Sequence, residues 1–275
     1  MAQKAFPSSL RNNFETFEGF SFWDEANSNF IKDNIKTLMK RCCISSGIAI
    51  NAIEIKQYHD NLLINLDLIQ FHAHGLKRYV SRRYKENRKK LELDSWQKVA
   101  QKLNLAIKLL NLLMPHKKVY LKVRRVKTFS KQIPVEARYK MNFYKRVYNI
   151  PKFPYARYGL QLMNLALNGK LSAFALSNFL EHHMRTKQKR KRHNLFLKYI
   201  QQGLEALEPF KKSSLCIKIK GRFGKRAKGR SQVWKQNIGF VPFGRLEVPI
   251  DVNFKETRTA YGGVGLKVYL YKNNK

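Results

Sequence analysis

The stretch Leu215-Cys216-Ile217-Lys218-Ile219-Lys220-Gly221-Arg222-Phe223-Gly224-Lys225-Arg226-Ala227-Lys228-Gly229-Arg230 reads first as a strand and then as a loop. Residues 215–220 are rich in β-branched and apolar types, and the eleven residues from Lys220 to Arg230 hold six cations and three glycines. Glycines let backbone N–H groups come close to phosphates, so this segment suits a loop pressed on a nucleic-acid backbone. It is not a P-loop: Gly221 and Gly224 are two residues apart rather than four, and Arg226 rather than a hydroxyl residue follows Lys225.

Outward from this segment, residues 266–271 alternate Leu266, Val268 and Leu270 against Lys267, Tyr269 and Tyr271, the period-2 pattern of a strand with one buried face. Upstream, Leu171 to Glu208 reads as one long helical stretch. It carries Phe174 and Leu180 early and Phe196, Ile200, Leu204 and Leu207 late. The second half of the chain is thus expected to pack a long basic helix on a sheet. The middle of that stretch, Arg185 to Arg192, has six cations in eight residues, and no acid is interspersed among them or follows until Glu205. A phosphate-binding surface explains the block better than a solvated helix face or a localisation signal.

The first half has a different rhythm. Phe30, Ile31, Ile35, Leu38 and Met39 recur at helical spacing and Ser45-Ser46-Gly47 supplies a stop. Strands follow at Ile50–Ile55 and Leu62–Leu68 around the turn chemistry of Tyr58-His59-Asp60-Asn61. Residues 77–90, with eight cations and one acid, read as an exposed helix. A second helix starts at Asp94-Ser95, carries Val99, Leu103, Ala106, Ile107 and Leu110 on one face, and ends by Pro115. Val119–Val123 is a strand. The order helix, strand, strand, helix, helix, strand is an α+β unit. Expected boundaries are an N-terminal extension at 1–27, the α+β unit at 28–127, a linker or insertion at 128–170, and a C-terminal domain at 171–275.

Composition names the class of partner. The chain of 275 residues has 55 Lys and Arg against 18 Asp and Glu, a net charge of +37, yet is 44% hydrophobic. A disordered polycation would lack the apolar residues for a core, and a free-standing globular protein would carry this much self-repulsion at a cost. Residues 95–180 alone hold 17 cations and the single acid Glu136, so their charge needs a polyanion. Nucleic acid fits, because cations bind it by releasing its counterions. No apolar run reaches the length of a membrane span, and the basic runs lack an apolar anchor, so no membrane partner is expected.

Chemistry-bearing motifs are scarce. Cys42, Cys43 and Cys216 have neither metal-ligand nor disulfide-framework spacing. His182 and His183 are adjacent on a helix and point apart, so they cannot share a metal as i,i+4 histidines do. No nucleophile elbow, zinc motif or paired carboxylate site occurs. The chain is expected to be no enzyme, a lone nuclease or helicase included, and to use no cofactor. The N-terminus shows no secretory or transit signal, as Glu15, Glu18, Asp24 and Glu25 come early.

At the C-terminal end Gly221-Arg222-Phe223-Gly224, Arg230, Gly239, Val241-Pro242-Phe243, Ile250-Asp251, Thr259, Tyr261-Gly262 and Gly265-Leu266-Lys267-Val268 resemble, in order and near-equal spacing, the signature of the universal small-subunit ribosomal protein S-three family. More faintly, Leu180-Glu181, Ile53-Glu54-Ile55, Asp60 to Ile64 and the start Met1-Ala2-Gln3-Lys4 are similar to the same family. The resemblance implies a type II KH domain followed by a C-terminal α+β domain in the small-subunit head. It implies that small-subunit rRNA, mRNA at the entry channel and neighbouring head proteins are the partners. Carried over, rRNA contacts fall on Lys77, Arg78, Arg82, Arg83, Arg222, Lys225, Arg226, Lys228 and Arg230. Those at the mRNA entry fall on Lys187, Lys189, Arg190, Lys191 and Arg192.

Two departures stand out. Around Gly75-Leu76-Lys77-Arg78 the second glycine of the KH loop is missing, so the KH domain is expected to be degenerate, its close clamp on nucleotides damaged. This also weighs against the alternative of a free KH-type regulator outside the ribosome. Glu247 stands where the family has Arg. Richness in Lys, Asn and Phe, the bacterial-type start and the missing presequence point to an organellar ribosome, mitochondrial before plastid.

Overall fold

A computed structural model describes residues 34–39, 41–43, 48–57, 61–70, 85–126, 133–148, 155–185, 193–223, 230–245, 247–259 and 262–272. The described residues divide into two compact units, one within Phe14–Lys127 and one within Thr128–Lys275. Both contain helices and sheet, so the fold is α+β.

In the first unit, α1 (residues 34–39 and 41–43) buries Ile35, Met39 and Cys43, one helical turn apart. The strands β1 (Ile48–Gln57) and β2 (Asn61–Gln70) pair antiparallel with Ile55 opposite Ile64. On β2 Leu62, Ile64, Leu66 and Leu68 are all buried, the face expected from their alternation. The third strand, β3 (Lys118–Val126), lies beside β2 and parallel to it, in the order β1-β2-β3. A parallel neighbour requires a crossover, and α2 (Lys85–Leu113) provides it. Its Val99, Leu103, Ala106 and Leu110 are buried at spacings of four, three and four, and α2 packs on β3. The Asn111 side chain accepts a hydrogen bond from the Val119 N–H, which ties the end of the helix to the start of the strand.

Two expectations are corrected here. No break occurs at Asp94-Ser95, because α2 runs through it. Asp and Ser cost a helix interior only about 0.5 kcal/mol each, and tertiary packing of the stripe outweighs that. The turn at 58–60 and the loop around Gly75 to Arg78 lie outside the described residues.

In the second unit, the stretch expected as a linker or insertion holds two helices, α3 (Val135–Val147) and α4 (Tyr155–Leu167), both packed against α6 (His193–Leu207). The end of α4 is a Schellman motif. Gly169 at φ +70° donates its N–H to Ala166, and the Lys170 N–H reaches Leu165. The next helix, α5 (Ala173–Arg185), lies on the sheet through β6 (Ile250–Thr259) and β7 (Gly262–Lys272). With β4 (Ser213–Gly221) and β5 (Gln232–Ile238) these form a four-stranded antiparallel sheet in the order β5-β4-β7-β6.

The single long helix expected over 171–208 is instead two. Along one continuous helix Phe179 and Phe196 would stand about 25 Å apart. Their ring centroids are 6.0 Å apart, and the His193 ring contacts the Met184 carbonyl, so the chain folds back between them. Aromatic packing drives the return: Tyr155, Phe179, His183 and Phe196 meet within 6.0 Å. Among the described residues no helix is long and apolar enough to cross a membrane.

Candidate nucleic-acid interface

One face of the C-terminal sheet belongs to the core. Leu215, Ile217 and Ile219 of β4 and Val264, Leu266, Val268 and Leu270 of β7 are buried on the helix side. The same side of β6 carries two polar ties to α5. Asp251 accepts from the Ala173 N–H at 2.8 Å, and Lys255 pairs with Glu181.

The opposite face is built differently at its two ends. At one end Cys216, Val241, Ile250 and Tyr269 form a small buried cluster, with Val252 and Tyr271 packed against it. The segment after β5 supplies Val241 by turning at Gly239, whose φ is +70°. A side chain there would also meet Ser214 Oγ at 2.5 Å. Burial raises the Cys216 thiol, and the weaker influences of Lys218 and Lys235 pull it the other way. Cys216 is thus a packed apolar group rather than a nucleophile.

At the other end the face is cationic. Register places Lys235 of β5 opposite Lys218 of β4, and Lys218 opposite Lys267 of β7. Lys267 in turn faces Phe254 of β6. Lys220 is two residues along β4 on the same side. Directly opposed cross-strand side chains lie about 5 Å apart at Cβ, and like charges there oppose the sheet's stability. Aromatic rings interleave with the cations. The Lys218 ammonium is 5.6 Å from both the Phe243 and the Tyr269 ring centres, and Lys267 lies 4.7 Å over Phe254. Among the described strand residues on this side the only acid is Glu256.

The cations expected from sequence fall around this sheet or outside the description. Arg222 and Arg230 are exposed and flank the glycine-rich segment, brought close because Gly221 pairs with Gln232 at the ends of β4 and β5. Between them Phe223 is buried and anchors the exit from β4. Lys225, Arg226 and Lys228 lie outside the described residues. So do Lys77, Arg78, Arg82 and Arg83, and also Lys187, Lys189, Arg190, Lys191 and Arg192, whose block falls between α5 and α6. Glu247 is exposed.

The Lys235-Lys218-Lys267 row was not recognisable from sequence as a set. Lys218 and Lys267 alternate with apolar residues and Lys235 stands between Trp234 and Gln236, but their alignment depends on pairing registers between strands that a glycine-rich loop and the chain from 222 to 261 separate. A second missed feature is on α3, where Val135, Tyr139, Phe143 and Val147 recur every four residues and are 60–77% exposed. Among the described residues no group of three or more His, Cys, Asp or Glu is placed to hold a metal ion.

Comparison with known proteins gives a consistent name. The chain is similar to "Small ribosomal subunit protein uS3" of Clavibacter michiganensis, 33% identical over 73 residues, which is 26% of this chain and 27% of that protein. It is similar to the protein of the same name from Bifidobacterium adolescentis, 40% identical over 58 residues, or 21% of each chain. "Small ribosomal subunit protein uS3c" of Thalassiosira pseudonana is 33% identical over 78 residues, 28% of this chain and 36% of that one. The matches thus span about a fifth to a third of the relatives' length. No family model matches the chain.

Proposed function

We infer that this chain, a member of the small ribosomal subunit protein uS3 family, is a structural, rRNA-binding component of a small ribosomal subunit. The observation that carries the reading is the agreement of bacterial and uS3c relatives on one name for a chain of net charge +37. The exposed Arg222 and Arg230, at the two ends of the glycine-rich segment, are the described cations assigned to rRNA. Lys225, Arg226 and Lys228 between them, and Lys77, Arg78, Arg82 and Arg83 in the first unit, complete the assignment. Such contacts fix register on the RNA rather than read its sequence.

Finer assignments follow as parts of the same reading. The first unit serves as a degenerate type II KH scaffold; its mixed β1-β2-β3 sheet, with a crossover helix between β2 and β3, supports that assignment. The block Lys187, Lys189, Arg190, Lys191 and Arg192 lines the mRNA entry. The apolar stripe of α3 meets neighbouring head proteins, and the ribosome is mitochondrial. The role is structural rather than enzymatic.

Gradient sedimentation at moderate salt tests the reading. The chain is expected to travel with small subunits, and recovery only in RNA-free fractions would overturn it. A free regulator would instead travel with RNA but apart from subunits. Changing Arg222 and Arg230 to Ala is expected to lower the salt slope of rRNA binding by roughly one unit per lost phosphate contact.

A further inference from the structure

We propose that the outer face of the C-terminal sheet is a binding platform for an unpaired stretch of RNA, with the Lys235-Lys218-Lys267 row on its phosphates and Phe254 beneath a base. The proposal rests on the reading above only in taking RNA as the polyanion. It adds a site distinct from Arg222, Arg230 and the two basic blocks.

Three observations converge. The first is the row itself. Three lysines on adjacent strands are held side by side across about 10 Å of sheet, and none of them enters an ion pair among the described residues. Opposed lysines cost the sheet stability unless an anion sits over them. Glu256 is too sparse a counter-charge for this row and Lys220 together.

The second is shape. Gly265 of β7 lies on the same face beside Lys267, between Lys220 on one side and Glu256 on the other. A Cβ built there meets nothing within 4 Å. The strand therefore presents bare backbone next to the lysines at Gly265, while at Gly263, its neighbour on this face, the Glu256 carboxylate comes within 3.4 Å of where a Cβ would stand and bounds the bare stretch. A shallow trough results, wide enough for a ribose-phosphate strand to lie on the sheet.

The third is the pairing of rings with cations. Phe254 and Phe243 remain 37% and 43% exposed at the edges of the lysine row. An acidic peptide would need the charges alone. Bases gain by stacking on rings, and every base has such a face. Lys267 lies over Phe254, and a base taking that ring moves the ammonium toward the adjacent phosphate. The exchange is favourable because base stacking is stronger than an exposed lysine–ring contact. A duplex keeps its bases inward and gains from charge only, which selects unpaired RNA as the occupant.

The test uses the full chain and two probes, a twelve-nucleotide oligouridylate and a twelve-base-pair RNA duplex, with fluorescence anisotropy over a salt series. The variant Lys218→Gln, Lys235→Gln, Lys267→Gln is expected to lower the single-strand salt slope by about 2. Phe254→Leu is expected to weaken oligouridylate roughly tenfold while leaving duplex binding unchanged. Gly265→Leu fills the trough without touching a charge and is expected to weaken the single strand selectively. Far-ultraviolet circular dichroism and melting confirm that each variant is folded. Unchanged slope and affinity in the folded triple variant would overturn the proposal, as would duplex binding as tight as single-strand binding, or equal displacement by polyaspartate. Subunit cosedimentation is measured in parallel. If it persists in the wild type while these effects are absent, the platform fails and the ribosomal role stands; if the wild type joins no subunit, the ribosomal role fails.

Discussion

Asp251, on the core-facing side of β6, accepts a hydrogen bond through Oδ2 from the Ala173 N–H at 2.8 Å, in the first turn of α5. Ser172 Oγ accepts from the Ala175 N–H in the same turn, so two donors of the helix end are satisfied from two different elements. Four residues along β6, Lys255 pairs with Glu181 near the other end of α5. The strand thereby fixes both the position and the rotation of the helix. This explains an Ile-Asp pair in the C-terminal signature without any contact to RNA.

Removing the acceptor should therefore destabilise the unit. Asp251→Ala is expected to cost about 1–2 kcal/mol, the range of a lost helix cap. Asp251→Asn keeps an acceptor oxygen and should stay close to wild type at neutral pH. Burial raises the Asp251 pKa, opposed by the Ala173 N–H and Lys272. A raised carboxyl favours the folded state while protonated, and that contribution is lost as pH rises through the folded pKa. Wild type should consequently gain on Asp251→Asn as pH falls through the carboxylate range. Urea unfolding of both variants across that range checks the sign; a gap that widens upward in pH would contradict it.

A similar argument applies to Gly221, at the end of β4. A Cβ there would stand 2.6 Å from Val264 Cγ2 and 3.1 Å from the Val264 Cα, so stiff side chain and backbone both obstruct it. Gly221→Ala is expected to destabilise by about 1–3 kcal/mol, typical of overpacking. Gly265→Ala, in open space, should change stability by less than about 0.5 kcal/mol. Thermal melts of the pair separate close approach from a general need for glycine in this sheet.

These residues also show what sequence could and could not reveal. The alternation of 266–271 exposed the core face of β7, and the spacing of Val99, Leu103, Ala106 and Leu110 exposed that of α2, because period alone determines which side is buried. The fold-back between α5 and α6 was not legible: both helices are apolar on one side, and only contacts such as Phe179 with Phe196 reveal the reversal. Asn168-Gly169 after the apolar run of α4 is a usable stop signal, but Pro134, Pro151 and Pro154 upstream break up the pattern of the segment before it. The lysine row needed the registers of two strand pairs, which no local pattern encodes.

His183 provides a pH prediction. It lies in the aromatic cluster of the second unit with its Nε2 2.7 Å from the Tyr158 hydroxyl, and edge-on to Tyr155 and Phe179. Burial, helped by the adjacent His182, lowers its pKa to about 3. The unfolded chain then binds a proton at His183 near pH 6.5 that the folded chain refuses until about pH 3. Stability is fully present above pH 6.5 and falls below it, by at most about 1.4 kcal/mol per pH unit from this group. His183→Phe should flatten that part of the pH profile, measured by urea midpoints between pH 7 and pH 4. An unaltered slope would place the acid sensitivity elsewhere.

The block Lys187, Lys189, Arg190, Lys191 and Arg192 separates two roles that charge alone would confound. A surface that merely anchors the chain to rRNA should, once neutralised, reduce assembly and translation in proportion. Cations lining a path for mRNA act after assembly, when a structured message must be opened against the subunit. Replacing Lys189, Arg190 and Lys191 together by Gln is therefore expected to leave subunit incorporation near normal while slowing messages with a stable hairpin more than unstructured ones. Arg222→Ala with Arg230→Ala is the contrasting pair, since loss of rRNA contact should appear first as weaker incorporation at raised salt. The readouts are gradient profiles and translation of two reporters that differ only in the hairpin. Equal losses on both reporters, matching a loss of incorporation, would remove the entry-channel role and leave the block as another rRNA anchor.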